Sequence, residues 1–115
     1  MAVTAFATGT QLAVITTEHF LANVNLVGVY TFHVDTVNME AGDVVELRVY
    51  QMTLTLSTVR VAYLMTYYGA QPTDDVEKIC VPISNELVDA QSLRFSLLQT
   101  FGVGRNFPWK VLRHA

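Results

Sequence analysis

Apolar and polar residues alternate with a period of two in several separate stretches of this chain. In the clearest stretch, 45–50, apolar residues alternate with Glu46, Arg48 and Tyr50. A period of two is typical of a β-strand that buries one side and exposes the other. We therefore expect three alternating sets to face one core: Val45, Leu47 and Val49; Val61, Tyr63 and Met65; Leu93, Phe95 and Leu97.

Weaker patterns complete the predicted strands. These lie at 12–16, 30–35, 77–83 and 107–111, with 18–25 as a connection or a short edge strand. Turn-forming residues separate them at 38–43, 69–75 and 101–106. Segment 53–58 is predicted to be a hairpin tip, and 84–91 to contain one helical turn.

About eight short strands without a sustained helical pattern predict an all-β fold, either two packed sheets or a small barrel. Without helices to make crossovers, the sheets are expected to be antiparallel. For residues 12–115 we predict one β-sandwich domain, jelly-roll-like because an eight-stranded jelly roll fits the strand count. Residues 1–11 are small, uncharged and weakly alternating, and are interpreted as an N-terminal arm or a poorly fixed first strand. Such a segment is either frayed or, as we favour, ordered by a neighbouring molecule.

The composition indicates a protein that associates. Hydrophobic residues make up 51% of the chain and charged residues only 15%, whereas an ordinary globular protein has roughly 25% charged residues. A monomer with so little charge exposes apolar patches, which usually mark association surfaces. We therefore expect a homo-oligomer, either a dimer or a trimer, or a protein bound to a larger assembly.

Charge is distributed unevenly along the chain. Residues 1–47 contain five acidic residues and no Lys or Arg, and the formal net charge of the chain is −3. This balance lacks the basic footprint of a nucleic-acid-binding protein, so no nucleic-acid partner is expected. No apolar stretch approaches the roughly 20 residues that cross a bilayer, so no membrane partner is expected. The start lacks the positive charges of a secretory signal, which favours a protein made in the cytoplasm.

Residues that could carry chemistry are few and scattered. His19, His33 and His114 lie far apart in the sequence, without the spacing of metal ligands. The aspartate pair 74–75 lacks the run of oxygen ligands of a calcium loop, and Cys80 lies in an apolar run typical of a buried thiol. The sequence therefore predicts a non-enzymatic protein with no catalytic residues, metal or cofactor.

Two further features have a structural and a functional interpretation. The two-glycine segment 102–104 is interpreted as a tight turn, because no helix follows it to form a phosphate-binding loop.

Five aromatic side chains of the sequence suit stacking on sugar rings, so a carbohydrate-binding β-sandwich module is the alternative function. Packing in the core or at an interface explains these aromatic residues more simply. These aromatic residues are Tyr63, Tyr67, Tyr68, Phe107 and Trp109.

Two phrases of the sequence resemble small virion proteins of tailed bacteriophages. The phrases are MEAGDVVELRVY at 39–50 and LRFSLLQTFGVGRNFPW at 93–109, behind a start rich in Thr and Ala. The resemblance is to capsid cement or decoration proteins built as jelly-roll-like β-sandwiches. It implies a structural protein on the outer capsid surface that binds neighbouring major capsid proteins. Another virion part, such as a head-tail connector, tail or fibre-base protein, is the nearest alternative.

Overall fold

The alternating segments form nine β-strands in the computed structural model, which describes residues 2–114. Met1 and Ala115, the ends of the predicted arm and domain, lie outside the described residues. The strands are β1 (Val3–Leu12), β2 (Glu18–Val24), β3 (Gly28–Asp35), β4 (Val44–Gln51), β5 (Arg60–Tyr68), β6 (Glu77–Ile79), β7 (Ile83–Asn85), β8 (Leu93–Phe101) and β9 (Asn106–His114).

The strands pack as two sheets. Sheet A has the order β1-β9-β3-β6, with β7 also paired to β3, and sheet B has the order β2-β8-β4-β5. All pairings are antiparallel. Each strand is followed by one in the other sheet, except within the β4–β5 and β6–β7 pairs. This alternation gives a jelly roll in which β6 and β7 together replace one strand. The prediction of an antiparallel sandwich of about eight strands is confirmed.

The core lies between the two sheets. The Phe32 ring of sheet A and the Phe95 ring of sheet B meet there with their centroids 5.2 Å apart, a favourable aromatic contact. The inward residues of β3, β4 and β8 are almost completely buried: Tyr30, Phe32, Val34, Val45, Leu47, Val49, Leu93, Phe95 and Leu97. Two of the three predicted core sets are therefore confirmed in full.

The third predicted set, on β5, is only partly correct. Tyr63 packs against the core, whereas Val61 is 50% exposed. A bulge is the reason: Val49 pairs with Tyr63 but Tyr50 pairs with Val61, which leaves Ala62 as an extra residue. Because an extra residue reverses the side to which neighbouring side chains point, Val61 lies with Tyr50 on the outer face.

The segment interpreted as an arm, 1–11, instead contributes an edge strand of the domain. Strand β1 pairs with β9 along its whole length. The Phe6 ring packs on the Tyr30 ring with centroids 5.6 Å apart. A Cβ added at Gly9 would lie 3.2 Å from the Trp109 ring, so Trp109 covers this glycine. The weak alternation concealed the strand because small residues and a bulge interrupt the period.

Three other predicted segments differ from the structure. The strand predicted at 77–83 is divided into β6 and β7, because Pro82 has no N–H for the ladder with β3. The helical turn predicted at 84–91 is not formed, since its start belongs to β7 and Gln91 has a φ of 63°. The strand predicted at 12–16 lies earlier in the chain, as β1.

The connections fall where turn-forming residues predicted them. The predicted turns at 38–43 and 69–75 lie between strands, and 53–58 is the tip of the β4–β5 hairpin. Within residues 2–114, no helix is long and apolar enough to cross a membrane.

Candidate interaction surface

Three loops meet at one end of the sandwich, which we call the three-loop end. It comprises the β2–β3 loop (25–27), the tip of the β4–β5 hairpin (52–59) and the loop before β8 (86–92). The last residues of β2 and β4 lie beside the first residue of β8 in sheet B. The three loops therefore leave the sheet together although they are distant in sequence.

Buried polar side chains hold the first and third of these loops. The side-chain amide of Asn85 donates to the carbonyls of Leu26 and Leu87, at 3.1 and 3.0 Å. The Ser92 hydroxyl donates to the carbonyl of Val24 at 2.9 Å and to that of Leu87 at 3.2 Å. Asn85 is only 3% exposed and Ser92 is fully buried. Since breaking such a bond leaves a buried polar group unpaired, these loops are fixed relative to each other.

The hairpin tip is attached to the same unit. The Leu56 N–H donates to Asp89 Oδ2 at 3.2 Å, and the Met52 N–H donates to the Ser92 carbonyl at 2.9 Å. Leu56 has a φ of 62°, a left-handed conformation that is uncommon and costly for a residue with a Cβ. The tip is therefore held beside the 86–92 loop in one conformation.

Many of the side chains that this end presents are apolar and exposed, although the 86–92 loop also carries Glu86 and Asp89. Leu56 is 88% exposed, more than any other large hydrophobic residue of the described chain. The loops 25–27 and 52–59 contain no charged residue. The other exposed apolar residues of this end are Leu26, Val27, Leu54 and Val88, which are 44%, 49%, 69% and 68% exposed. Exposed apolar side chains grouped on fixed loops form a surface suited to association.

A second candidate site is a shallow depression on the outer face of sheet A. Pairing of β3 with β9 brings His33 and His114 together around Thr31. The Thr31 hydroxyl lies 2.9 Å from His33 Nε2 and 3.1 Å from His114 Nε2. The depression has a volume of about 150 Å³ and is lined by His33, Asp35, Glu77, Pro108, Trp109 and Lys110.

The surroundings of His33 lower the pKa of its ring. Burial lowers its pKa most, Lys110 and His114 lower it further, and only Glu77 opposes them. His33 Nδ1 is buried and has no hydrogen-bond partner in the described chain, with the nearest Glu77 oxygen 3.8 Å away. Among residues 2–114, no three His, Cys, Asp or Glu side chains are placed to hold a metal ion together. The depression thus offers an imidazole of lowered pKa beside a lysine and a carboxylate.

The opposite end of the sandwich is organised around Asp43, which is 1% exposed. Its Oδ2 accepts from Arg105 Nε at 2.8 Å and from the Glu40 N–H at 2.9 Å, and its Oδ1 accepts from the Val103 N–H at 3.3 Å. Burial alone would raise the pKa of Asp43, but these hydrogen bonds together lower it. Gly102, with a φ of 96°, passes so close that a Cβ there would overlap the Asp43 carboxylate. This confirms the tight-turn interpretation of the two-glycine segment.

A polar network covers the outer face of sheet B. Glu18 Oε2 accepts from the Tyr50 and Ser96 hydroxyls, both at 2.6 Å. Arg48 forms an ion pair with Glu46 at 2.8 Å and lies 3.6 Å from Glu18 Oε1. These contacts join β2, β4 and β8, and they satisfy the polar groups of the network with one another. The network therefore stabilises the contact of β2, β4 and β8 in sheet B.

The buried position predicted for Cys80 is confirmed, and Asp75 forms an ion pair. Cys80 is 3% exposed, and burial raises the pKa of its thiol despite the hydrogen bond from the Phe32 N–H. Asp75 binds Lys78 through both its carboxylate and its carbonyl. Lys78 Nζ also lies 4.9 Å from the centre of the Tyr67 ring.

The five candidate sugar-stacking residues do not share one exposed face. Phe107 is completely buried and Trp109 is partly buried against the core. Tyr67 packs on the core side of β5, whereas the next residue, Tyr68, is 72% exposed on the other side. Consecutive residues of a strand point to opposite sides, so this separation follows from the strand itself.

Sequence reasoning missed both the three-loop end and the meeting of His33 with His114. Each depends on segments that only the sheet pairing brings together. One local signal was present, since the predicted tip 53–58 carries two leucines and no charge, where a turn is usually polar. In comparisons with known proteins, no protein-family model, no curated protein and no solved structure matches this chain.

Proposed function

We propose that this protein is a non-enzymatic virion component, a capsid decoration or cement protein that binds the major capsid protein on the outer surface of the head. The observation that carries the proposal is the three-loop end, where five large apolar side chains are exposed on loops that hydrogen bonds tie together. Loops that are already ordered lose little conformational entropy on binding, which favours a contact surface at this position.

The rest of the surface supports an associating protein. Seventeen large hydrophobic residues are exposed in the described chain, as many as the charged residues of the whole chain. A surface with this balance is favourable when it is covered and costly when it faces water. A shell that offers many identical sites supplies avidity, so each contact can be weak and the protein still remains attached.

The fold is compatible with this function and with its main alternative. Jelly rolls occur in viral capsid domains and in lectin domains, so the topology does not choose between a capsid partner and a glycan. The alternative needs an exposed aromatic platform, and its candidate residues Phe107 and Tyr67 pack inward. The exposed leucines and valines of the three-loop end instead suit an apolar pocket on a protein.

The first prediction concerns the contact itself. The double variant Leu54→Ser/Leu56→Ser should bind capsid shells, assembled from the major capsid protein of the same virus, at least about tenfold more weakly than the unchanged protein. Two apolar anchors are lost, and each central anchor of an interface contributes more than about 1 kcal/mol. Co-sedimentation with the shells across a concentration series measures the change.

A matched control comes from the opposite end. Val37→Ser/Val103→Ser removes two valines that are 57% and 65% exposed, and it should bind shells like the unchanged protein. If the unchanged protein fails to sediment with shells, the capsid function is wrong. If the leucine variant binds as well as the control, the contact lies elsewhere. Specific binding on a glycan array, without binding to shells, would establish the carbohydrate alternative instead.

A further inference from the structure

The four edges of the two sheets are protected to different degrees. Natural edge strands avoid pairing with other chains by being short or by carrying charges, prolines or bulges. The β6–β7 edge consists of two strands of three residues each. Strand β6 carries Glu77 and Lys78, and Pro82 lies between the two strands. Strand β2 has a bulge and begins at Glu18, and β5 has a bulge and begins at Arg60. Each of these three edges therefore combines at least two protective devices.

Strand β1 is the exception. It is ten residues long, the longest strand in the described chain, and it contains no charged residue and no proline. The one feature that protects it from pairing with other chains is a bulge at Phe6, where the register with β9 shifts between Ala5 and Ala7. One edge of β1 is hydrogen-bonded to β9, and its other edge is the free edge of sheet A. The least protected edge of the molecule is thus a long, uncharged strand.

We propose that the free edge of β1 pairs with β1 of a second copy of this chain, in an antiparallel arrangement about a two-fold axis. A two-fold contact uses the same surface on both copies, so the surface must be complementary to itself. An uncharged strand meets this condition, because no register places like charges opposite each other. The pairing joins the two A sheets into one continuous sheet.

One register of this pairing uses the whole strand and leaves the bulge unpaired. On β1, Val3, Ala5, Thr8, Thr10 and Leu12 point to the outer face, because they pair with outward residues of β9. With Thr8 on the two-fold axis and Phe6 left out as the bulged residue, Ala5 faces Thr10 of the other copy and Val3 faces Leu12. All outward residues then pair with outward residues, as sheet pairing requires. Val3 and Leu12, which are 54% and 56% exposed, cover each other at both ends of the contact.

This geometry also sets the positions of the three-loop ends. Strand β1 begins at the three-loop end, since Val3 pairs with His114 and His114 pairs with Val29 at the start of β3. In an antiparallel pair the two three-loop ends therefore point in opposite directions along the strands. The dimer is a linker with one apolar contact surface at each end. Its use as a clamp between neighbouring capsid subunits rests on the proposed function, whereas the dimer itself does not.

The second prediction tests the register in solution without any particle. The variant Thr8→Cys should form an intermolecular disulfide under mild oxidation, because residues on the axis of an antiparallel pair have Cα atoms within disulfide range. Thr10→Cys, exposed on the same face of the same strand, should not crosslink, because its own copy lies about four residues away along the strand. The unchanged protein is a further control, since its single cysteine, Cys80, is buried.

A charge at the axis tests the association itself. Thr8→Lys places two ammonium groups opposite each other and should weaken the dimer about tenfold or more in sedimentation velocity. Leu64→Lys, at an exposed position of the β5 edge, should leave the dimer unchanged. An unchanged protein that is monomeric at high micromolar concentration would overturn the inference, as would a dimer that Thr8→Lys leaves intact. A failure of shell binding with an intact dimer would affect only the proposed function.

Discussion

At the scale of single residues, Asp43 is the most deeply buried charged side chain of residues 2–114, at 1% exposure. Its carboxylate joins the turn before β4 to the turn between β8 and β9, through Glu40, Val103 and Arg105. Gln99, also buried, holds the same β8–β9 turn by accepting from the Arg105 N–H at 3.2 Å. One end of the sandwich therefore depends on buried polar contacts rather than on apolar packing.

The third prediction follows from this role. Asp43→Asn should lower the free energy of unfolding by about 2–4 kcal/mol, because an amide NH₂ then faces donors in a buried site. Chemical denaturation measures this change. Glu40→Gln is the matched control: Glu40 also contacts Arg105 but is 71% exposed, so its loss should cost less than about 1 kcal/mol. Equal costs for the two variants would show that burial is not what makes Asp43 important.

His33 predicts how stability depends on pH. Its pKa in the folded protein lies below the ordinary 6.5, chiefly through burial and further through Lys110 and His114, with Glu77 opposing and Asp35 beside it in the depression. The unfolded chain then binds a proton more readily than the folded one. The stability that neutral His33 contributes is therefore complete above about pH 6.5 and is lost as the pH falls below it.

This fourth prediction is checked by NMR titration of the His33 ring together with denaturation between pH 5 and pH 8. The midpoint for His33 should lie below 6.5, and His33→Gln should reduce the loss of stability toward acid pH. A midpoint at or above 6.5 would contradict the prediction and would show that Glu77 outweighs burial.

At the scale of elements, β1 decides how the start of the chain behaves. It pairs with β9 throughout, places Phe6 against Tyr30 and lies under Trp109 at Gly9. The strand therefore contributes to its own domain through a ladder that is interrupted only at the Phe6 bulge and through two aromatic contacts. The idea that this segment is held only by a neighbour is wrong, although its outer edge stays free for one.

The fifth prediction is that deleting residues 2–9 lowers the melting temperature by more than about 10 °C. The deletion removes most of a strand and uncovers Tyr30 and Trp109, a loss of several kcal/mol, and each kcal/mol corresponds to about 4 °C in a domain of this size. Differential scanning calorimetry measures the shift. A chain without Ala2 alone, which precedes β1, should melt like the full chain. An unchanged melting temperature in the longer deletion would show that β1 is not an integral strand.

At the scale of the whole molecule, the fold resolves the charge imbalance of the sequence. The acidic first part of the chain supplies strands to both sheets, so no acidic half forms. Glu18 and Glu46 contact Arg48, while Glu40 and Asp43 contact Arg105. Several of the few charged side chains therefore pair with one another within the molecule. The rest of the surface is rich in exposed apolar residues. This balance is the physical basis for expecting the protein in an assembly.

The sequence by itself determined the strand class and most of the core. Alternation is a local property, because successive side chains of a strand point to opposite sides. It therefore identified Leu47 and Phe95 as core residues without knowledge of their partners, and Gly42 and Pro72 marked turns for equally local reasons. The antiparallel sandwich followed, since many short strands without helices have few other ways to bury one side.

Only the tertiary structure decided what depends on pairing between distant segments. The bulge that turned Val61 outward, the placement of β1 beside β9 and the meeting of His33 with His114 are long-range events. The three-loop end is of the same kind, because its loops become neighbours only when β2, β4 and β8 align. Periodicity shows which side of a strand is buried, but backbone hydrogen bonds are alike in every strand. The identity of a strand's neighbour is therefore fixed by the packing of the whole sandwich.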